Sequence, residues 1–324
     1  MKLWQTKNFK SLLLLPFSAL YFVLSYIDIA IKKNKGKKIE LNNQTKIVVV
    51  GNITAGGTGK TPFIQLLANY LISQNISVAI IARGYGAMPP WEPFVVLPDS
   101  LAKHAGDEAL THAQNLNIPV VISKKRMLAI KKINQLYDVD VILSDDGLQH
   151  WQMPRHLNIV LIDGLRGFGN GWLLPAGPLR QTKAFLKQAD FVFCKGEKSH
   201  HSIQPTIPSF NIKCLGFYNQ KNERINIADL QNITLVSAIA NPESFYKLVN
   251  EFVPQYSTLE FRDHHGFIEQ DLKKLKGNII MTEKDFVKCR GFDLNNIDGL
   301  YYCKVEATMD ENNLEAIKIA ILAN

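Results

Sequence analysis

The stretch VVVGNITAGGTGKTP, Val48 to Pro62, decides the fold class. An apolar run, Ile47–Val50, feeds a glycine-rich turn, and Lys60-Thr61 opens a segment of helical periodicity. Strand, glycine turn and helix in that order mark a phosphate-binding loop. Gly56, Gly57 and Gly59 allow backbone N–H groups to wrap phosphate oxygens without Cβ clashes. The helix N-terminus adds its positive end. The nucleotide-binding set is therefore Thr54, Ala55, Gly56, Gly57, Thr58, Gly59, Lys60 and Thr61. Lys60 would bridge the β- and γ-phosphates of ATP, and the Thr61 hydroxyl would bind Mg²⁺. The strict G-x-x-x-x-G-K-[ST] pattern asks for Gly at position 54, where this chain has Thr54.

Working outward, strands and helices alternate. Val78–Ala82, Phe94–Leu97, Ile118–Ser123, Val139–Ser144 and Asn158–Ile162 read as short apolar strands. Helical stretches are expected over Thr61–Gln74, His104–Asn115 and Lys124–Tyr137. Such alternation predicts βαβ units and a largely parallel sheet covered on both faces. The character changes around Cys194–Ile225, read as a connector with a two-stranded ribbon. A second series follows: Ile233–Ala240, a helix over Pro242–Phe252, Thr258–Arg262, Asn278–Thr282 and Leu300–Val305, then a closing helix over Asp310–Leu322. The expected class is α/β: a P-loop NTPase-like parallel sheet, a second smaller α/β domain and an N-terminal membrane-associated helix. The expected parts are residues 1–45, 46–193, 194–225 and 226–324.

Further motifs carry chemistry. DVILSDDGLQH places Asp145-Asp146 at a strand end, where acids in P-loop enzymes reach Mg²⁺. Two adjacent carboxylates repel unless a cation offsets them. Gly106-Asp107-Glu108 opens a helix, so its acids are either dipole partners or a base and a metal-linked carboxylate. Phe261-Arg262-Asp263-His264-His265-Gly266 sets Asp beside His, which suits an oriented imidazole or a polar loop. Arg83-Gly84-Tyr85-Gly86 follows a strand end, where ligand crevices form. RGFGNGWLLPAGPLR, residues 166–180, is rigid, with Arg166 and Arg180 as anion-binding candidates.

The chain has 324 residues, enough for about two domains. Its four cysteines make no CxxC pair, so no zinc or redox motif is encoded. Net charge is +8, and residues 1–45 hold eight lysines against Asp28 and Glu40. Most of the basic excess thus lies beside the apolar segment Leu12–Ile31, which points to an anionic membrane surface rather than nucleic acid. Ser11 to Ile27 carries no charge, the lower edge of what spans a bilayer. Spanning, interfacial and buried-core readings compete, and lysines on both flanks favour the interfacial one.

GNITAGGTGKTP, RGYG, GDEA, DDGLQH, RGFGNGWLLPAGPLR, FRDHHGF and MTEKDFVKC occur in this order between residues 51 and 289. Together they resemble the tetraacyldisaccharide 4′-kinase family, the lipid A 4′-kinases. The resemblance implies ATP-dependent phosphorylation of the 4′-hydroxyl of an acylated glucosamine disaccharide 1-phosphate, at the cytoplasmic face of the inner membrane. It implies Lys60, Asp107 and His264 as catalytic residues, the last two meeting across an inter-domain cleft. It links Thr61, Glu108, Asp145 and Asp146 to Mg²⁺, and Arg83 and Tyr85, with His265, to the lipid substrate. Thr282–Asp285 would lie near the nucleotide. No obligate protein partner is evident. Gln181-Thr182 stands where the family usually has an acidic residue and Pro. The rival from another class is a membrane-cycling ATPase of the MinD/ParA type, which needs a second lysine where this chain has Ala55.

Overall fold

The computed structural model describes residues 4–34, 45–289, 292 and 299–323. The linker lysines Lys35, Lys37 and Lys38, read above as membrane-facing, lie outside those residues.

The chain opens with α1 (Phe9–Leu13) and α2 (Leu15–Asn34). The first region holds β1 (Lys46–Gly51), α3 (Lys60–Ser73), β2 (Val78–Ala82), β3 (Phe94–Val96), α4 (Ala102–Ala105), α5 (Asp107–Asn115), β4 (Val120–Ile122), α6 (Arg126–Leu136), β5 (Val141–Asp145), β6 (Leu157–Asp163) and β7 (Phe191–Lys195). A ribbon of β8 (Ser209–Tyr218) and β9 (Arg224–Ile225) follows. The second region holds β10 (Ile233–Ser237), α7 (Pro242–Asn250), β11 (Ser257–Glu260), α8 (Glu269–Lys273), β12 (Asn278–Thr282), α9 (Glu283–Phe286), β13 (Gly299–Met309) and α10 (Glu311–Ala323).

Among the described residues, thirteen strands join one sheet, in the order β11-β10-β12-β13-β8-β7-β6-β1-β5-β2-β4-β3, with β9 beside β8. The run β2-β5-β1-β6-β7-β8 is parallel, as is β11-β10-β12-β13. The two runs meet in the antiparallel pair β13–β8. Strand direction therefore reverses there. In a flat sheet the carboxyl ends of the two runs would fall on opposite edges. Long strands twist, and the register shifts between Lys304 and Val305. The loops after β1, β2 and β5 and those after β10, β11 and β12 line one cavity of about 910 Å³.

The core follows the apolar runs. The β1 residues Ile47, Val48, Val49 and Val50 are fully buried, as expected for a central parallel strand covered on both faces. One face packs α3 and α5 through Phe63, Leu67, Leu71 and Leu110, and the other packs α6 through Ala129, Ile130 and Ile133. The closing helix α10 returns to α3: Ile317 and Ile321 join that first cluster, and the Tyr70 hydroxyl donates to Glu315 at 2.6 Å.

The helix expected over His104–Asn115 is two helices. Gly106 breaks it with φ +77, and a Cβ there would sit 3.1 Å from the Tyr85 carbonyl oxygen. The short α8 and α9 leave no periodic signal in the sequence, since neither is long enough to show a period. The 18-residue window Leu15–Lys32 of α2 has mean hydropathy 1.4 and is 6% buried. Phe17, Leu20, Leu24 and Ile27 are exposed, so α2 is not a helix of the soluble core. By length and composition it is apolar enough to cross a membrane.

Candidate active site

Strand β1 delivers Asn52–Thr61 to the cavity. Gly59 caps α3 in the left-handed region (φ +80), where a Cβ would press within 3.0 Å of Ile212 and Lys195. Only glycine turns the chain there without strain. The Thr58 hydroxyl is buried with no hydrogen-bond partner. Asn52 Nδ2 ties the turn by donating to the carbonyls of Thr54 (2.8 Å) and Gly56 (3.1 Å). Arg166 lies over the same turn, donating to the Gly57 carbonyl and pairing with Asp163 at 3.3 Å.

Strand β5 delivers the two acids. Asp146 has φ +51, an uncommon conformation for a non-glycine residue. Its carboxylate meets Arg180 Nη1 at 2.9 Å and Lys60 Nζ at 3.5 Å. Burial opposes its ionisation, but Lys60 and Arg180 outweigh that and hold it well below the usual carboxylate range. Asp145 is 2% exposed and shares one oxygen with His112 Nε2 at 3.3 Å. Its other oxygen has no hydrogen-bond partner, and Oδ1 of Asp146 makes no hydrogen bond and meets only the Lys60 ammonium, at ion-pair distance. Two such oxygens at a strand tip suit a divalent cation. Among the described residues no group of three His, Cys, Asp or Glu side chains converges on a metal position. That donor set fits Mg²⁺, which binds through one or two carboxylates and takes its other ligands from water and phosphates.

Asp107 opens α5 and is buried. Its Oδ2 lies 3.0 Å from Nδ1 of His264, 157 residues away in the chain. His264 follows β11 with φ +60 and packs against Tyr85 with the rings tilted at 46°, centroids 4.6 Å apart. Lys288 approaches the same carboxylate at 3.4 Å. Glu108 pairs with Lys284 at 2.9 Å. Burial opposes the Asp107 charge, yet Lys284, the His264 hydrogen bond and Lys288 drive its pKa far below the usual carboxylate range.

The structure gathers the residues singled out above unevenly. Lys60, Thr61, Arg83, Tyr85, Glu108, Asp145, Asp146 and His264 all border the one cavity, as do Thr282 and Lys284. His265 does not. Its Nε2 meets Asp271 at 2.9 Å and its ring stacks on Phe261, so it ties the DHH turn to α8. Sequence reasoning missed Arg126, 2% exposed, which donates to the carbonyls of Asp145 (2.7 Å) and Ser123 (3.1 Å). Burial lowers its pKa to about 10, so it stays charged at neutral pH. It also missed Lys288 and His150, whose pKa burial, then Arg126 and Arg83, lower to about 4. The run Ser123-Lys124-Lys125-Arg126 after β4 held a signal: a basic turn at the carboxyl end of a parallel strand.

This cavity joins a phosphate-binding turn, a two-acid strand tip and the imidazole of an Asp–His pair, and known proteins match nearly the whole chain that builds it. The family described as tetraacyldisaccharide-1-P 4′-kinase (LpxK) matches residues 10–322. Tetraacyldisaccharide 4′-kinase of Legionella pneumophila (strain Corby) is 36% identical over 318 residues, covering 97% of this chain and 95% of that protein. The enzyme of the same name from Haemophilus influenzae (strain 86-028NP) is 35% identical over 316 residues, 96% of this chain and 92% of that one. Among solved structures, LpxK from Aquifex aeolicus, an "apo" form in complex with ATP, aligns with a TM-score of 0.74. It covers 96% of this chain and 99% of its own at 23% identity, a likeness of fold. With a family match over nearly its full length and relatives above one-third identity, the chain belongs to the tetraacyldisaccharide-1-P 4′-kinase family.

Proposed function

We propose that the protein transfers the γ-phosphoryl group of ATP to the 4′-hydroxyl of an acylated glucosamine disaccharide 1-phosphate, a step of lipid A biosynthesis. Family membership favours this kinase over a membrane-cycling ATPase switch. The observation that carries the mechanism is the Asp107–His264 contact, whose imidazole borders the same cavity as the phosphate-binding turn.

Phosphoryl transfer needs positioning and charge neutralisation more than covalent chemistry. Thr54 through Thr61 would cradle the phosphates. Lys60, now paired with Asp146, would turn to the β- and γ-phosphates as the nucleotide enters. Thr61, Asp145 and Asp146 would hold Mg²⁺, which when bound neutralises phosphate charge, while Glu108 is engaged by Lys284. Arg83 and Tyr85 would seat the acceptor sugar. Asp107 alone is a weak base, because two lysines stabilise its charge. Hydrogen-bonded to Nδ1 of His264, it orients that imidazole, and the pair takes the hydroxyl proton as one unit. The four parts 1–45, 46–193, 194–225 and 226–324 would act as membrane seat, nucleotide side, ribbon and proton-handling side.

The deciding experiment incubates the protein with Mg-ATP and a tetraacyl disaccharide 1-phosphate. The expected product is heavier by one phosphate, with one ADP per product. ATP turnover that ignores the acceptor would overturn this reading.

We place the protein at the cytoplasmic face of the inner membrane, with α2 against the leaflet that holds the acceptor. Leu20 and Leu24 are exposed on α2. Full burial of such a side chain contributes about 1.5–3 kcal/mol, so the Leu20→Gln, Leu24→Gln double variant should bind anionic vesicles at least about tenfold more weakly. Unchanged sedimentation with vesicles would remove α2 from membrane binding.

A further inference from the structure

Ser18 is buried, at 6% exposure, on a helix whose Phe17, Leu20 and Leu24 are exposed. A mid-helix serine usually returns its hydroxyl to the carbonyl four residues back. Here that contact, to Leu14, is long at 3.5 Å. The hydroxyl instead donates to the Leu173 carbonyl at 2.8 Å and accepts from the Ala176 N–H at 3.0 Å. Three residues on, the Tyr21 hydroxyl donates to the Arg180 carbonyl at 3.0 Å. All three partners belong to the glycine- and proline-rich loop 172–180.

The other edge of that loop is bonded to the phosphate-binding turn. The Ala55 N–H donates to the Pro178 carbonyl, and the Arg180 N–H to the Ile53 carbonyl, each at 2.7 Å. Thr54 and Leu179 form an antiparallel bridge. The Arg180 guanidinium then reaches Asp146 at 2.9 Å. The loop is thus clamped between the apolar helix and the phosphate turn by hydrogen bonds on both edges.

We propose that Ser18 and Tyr21 are positioning residues: they set loop 172–180 and, through Arg180, the Asp146 carboxylate, so that α2 tunes phosphoryl transfer as well as meeting the lipid surface. The inference rests on the reading of Asp146 as a phosphate-side group given above. The loop's carbonyls and N–H groups are bound at fixed spacing on both edges. Losing the hydroxyl partners leaves polar groups unpaired and frees the loop to move.

The test uses acceptor dispersed in detergent, so that membrane attachment does not enter. Ser18→Ala and Tyr21→Phe should each lower kcat about five- to tenfold, the worth of one or two hydrogen bonds, with acceptor KM changed less. Ser18→Thr, which keeps the hydroxyl, should recover most of the loss. In an Arg180→Ala background, Tyr21→Phe should have little further effect on the residual turnover, because its path runs through the missing guanidinium. A general loss of folding would instead multiply. If Ser18→Ala fails to fold, Tyr21→Phe decides alone. A kcat within twofold of wild type for Tyr21→Phe, or a full multiplicative loss on top of Arg180→Ala, overturns the proposal. A wild-type protein inactive toward the acceptor overturns the proposed function, and this inference with it.

Discussion

The two parallel runs of the sheet are built alike and used differently. In the first region, the loops after β1 and β5 carry glycines, Lys60 and two acids, the equipment for phosphates and a cation. In the second, the loop after β11 carries His264 and the helix after β12 carries Lys284, with Lys288 just beyond, and no glycine-rich turn follows β10. Parallel strands supply a crevice at their carboxyl ends in both cases, and the side chains placed there set the chemistry. The second region completes a carboxylate that the first one owns: Asp107 is on α5, yet its cations and its imidazole come from across the cavity.

This contrast can be broken at its strongest point. Lys60→Ala should lower kcat by roughly 10²–10³-fold or more while circular dichroism stays unchanged, since it removes a preorganised cation from the transferring phosphoryl. Turnover near wild type would take the phosphate turn out of the mechanism. Next in size are Asp107→Asn and His264→Ala. Each should lower kcat by about 10²–10⁴-fold, the range for a positioned acid–base group, with smaller effects on ATP KM. The double variant should be little worse than the worse single, because the pair acts as a unit. Independent, multiplicative losses would mean that each region works alone.

Lys288→Met sharpens the comparison. Against burial, Lys284, the His264 hydrogen bond and then Lys288 hold Asp107 ionised, so removing Lys288 raises the Asp107 pKa. The acid limb of kcat/KM, set by the Asp107–His264 pair that loses a neighbouring cation, should move to higher pH, and a fixed limb would show that the second region does not set this charge. The smallest effect concerns His150, on the first region. Its folded pKa of about 4 lies below the model-peptide 6.5, so between those values the unfolded state binds more protons. Its contribution is therefore fully present above pH 6.5 and is lost as pH falls toward 4. His150→Asn should flatten the stability–pH curve in that window by roughly 1–2 kcal/mol, allowing for its partial exposure. Urea denaturation at several pH values would show an unchanged slope if the idea is wrong.

Much of this arrangement is legible in residue order. Val78–Ala82 and Asn278–Thr282 match the observed strands end for end, because a short apolar run between turn residues leaves little choice of boundary. The phosphate turn was legible for a similar reason. Its function needs glycine at positions a few residues apart, so the signal is local. The Asp107–His264 partnership was accessible only through family resemblance, and Lys284–Glu108, 176 residues apart, was not foreseen at all. Periodicity describes the face a residue presents, not the distant segment that meets it.

Local chemistry alone thus sets the phosphate turn, the acid pair and the apolar helix, since each depends on residues within one turn or one strand. Tertiary structure decides the rest. The reversal at β8–β13 and its twist bring the ends of two opposed runs to one cavity. The loop 172–180, in sequence only a rigid turn with two arginines, becomes a clamp because α2 bonds one edge and the phosphate turn the other. Those contacts join segments more than a hundred residues apart. Their free energy depends on backbone groups meeting at hydrogen-bond distance, a condition the packed fold imposes and residue order does not display.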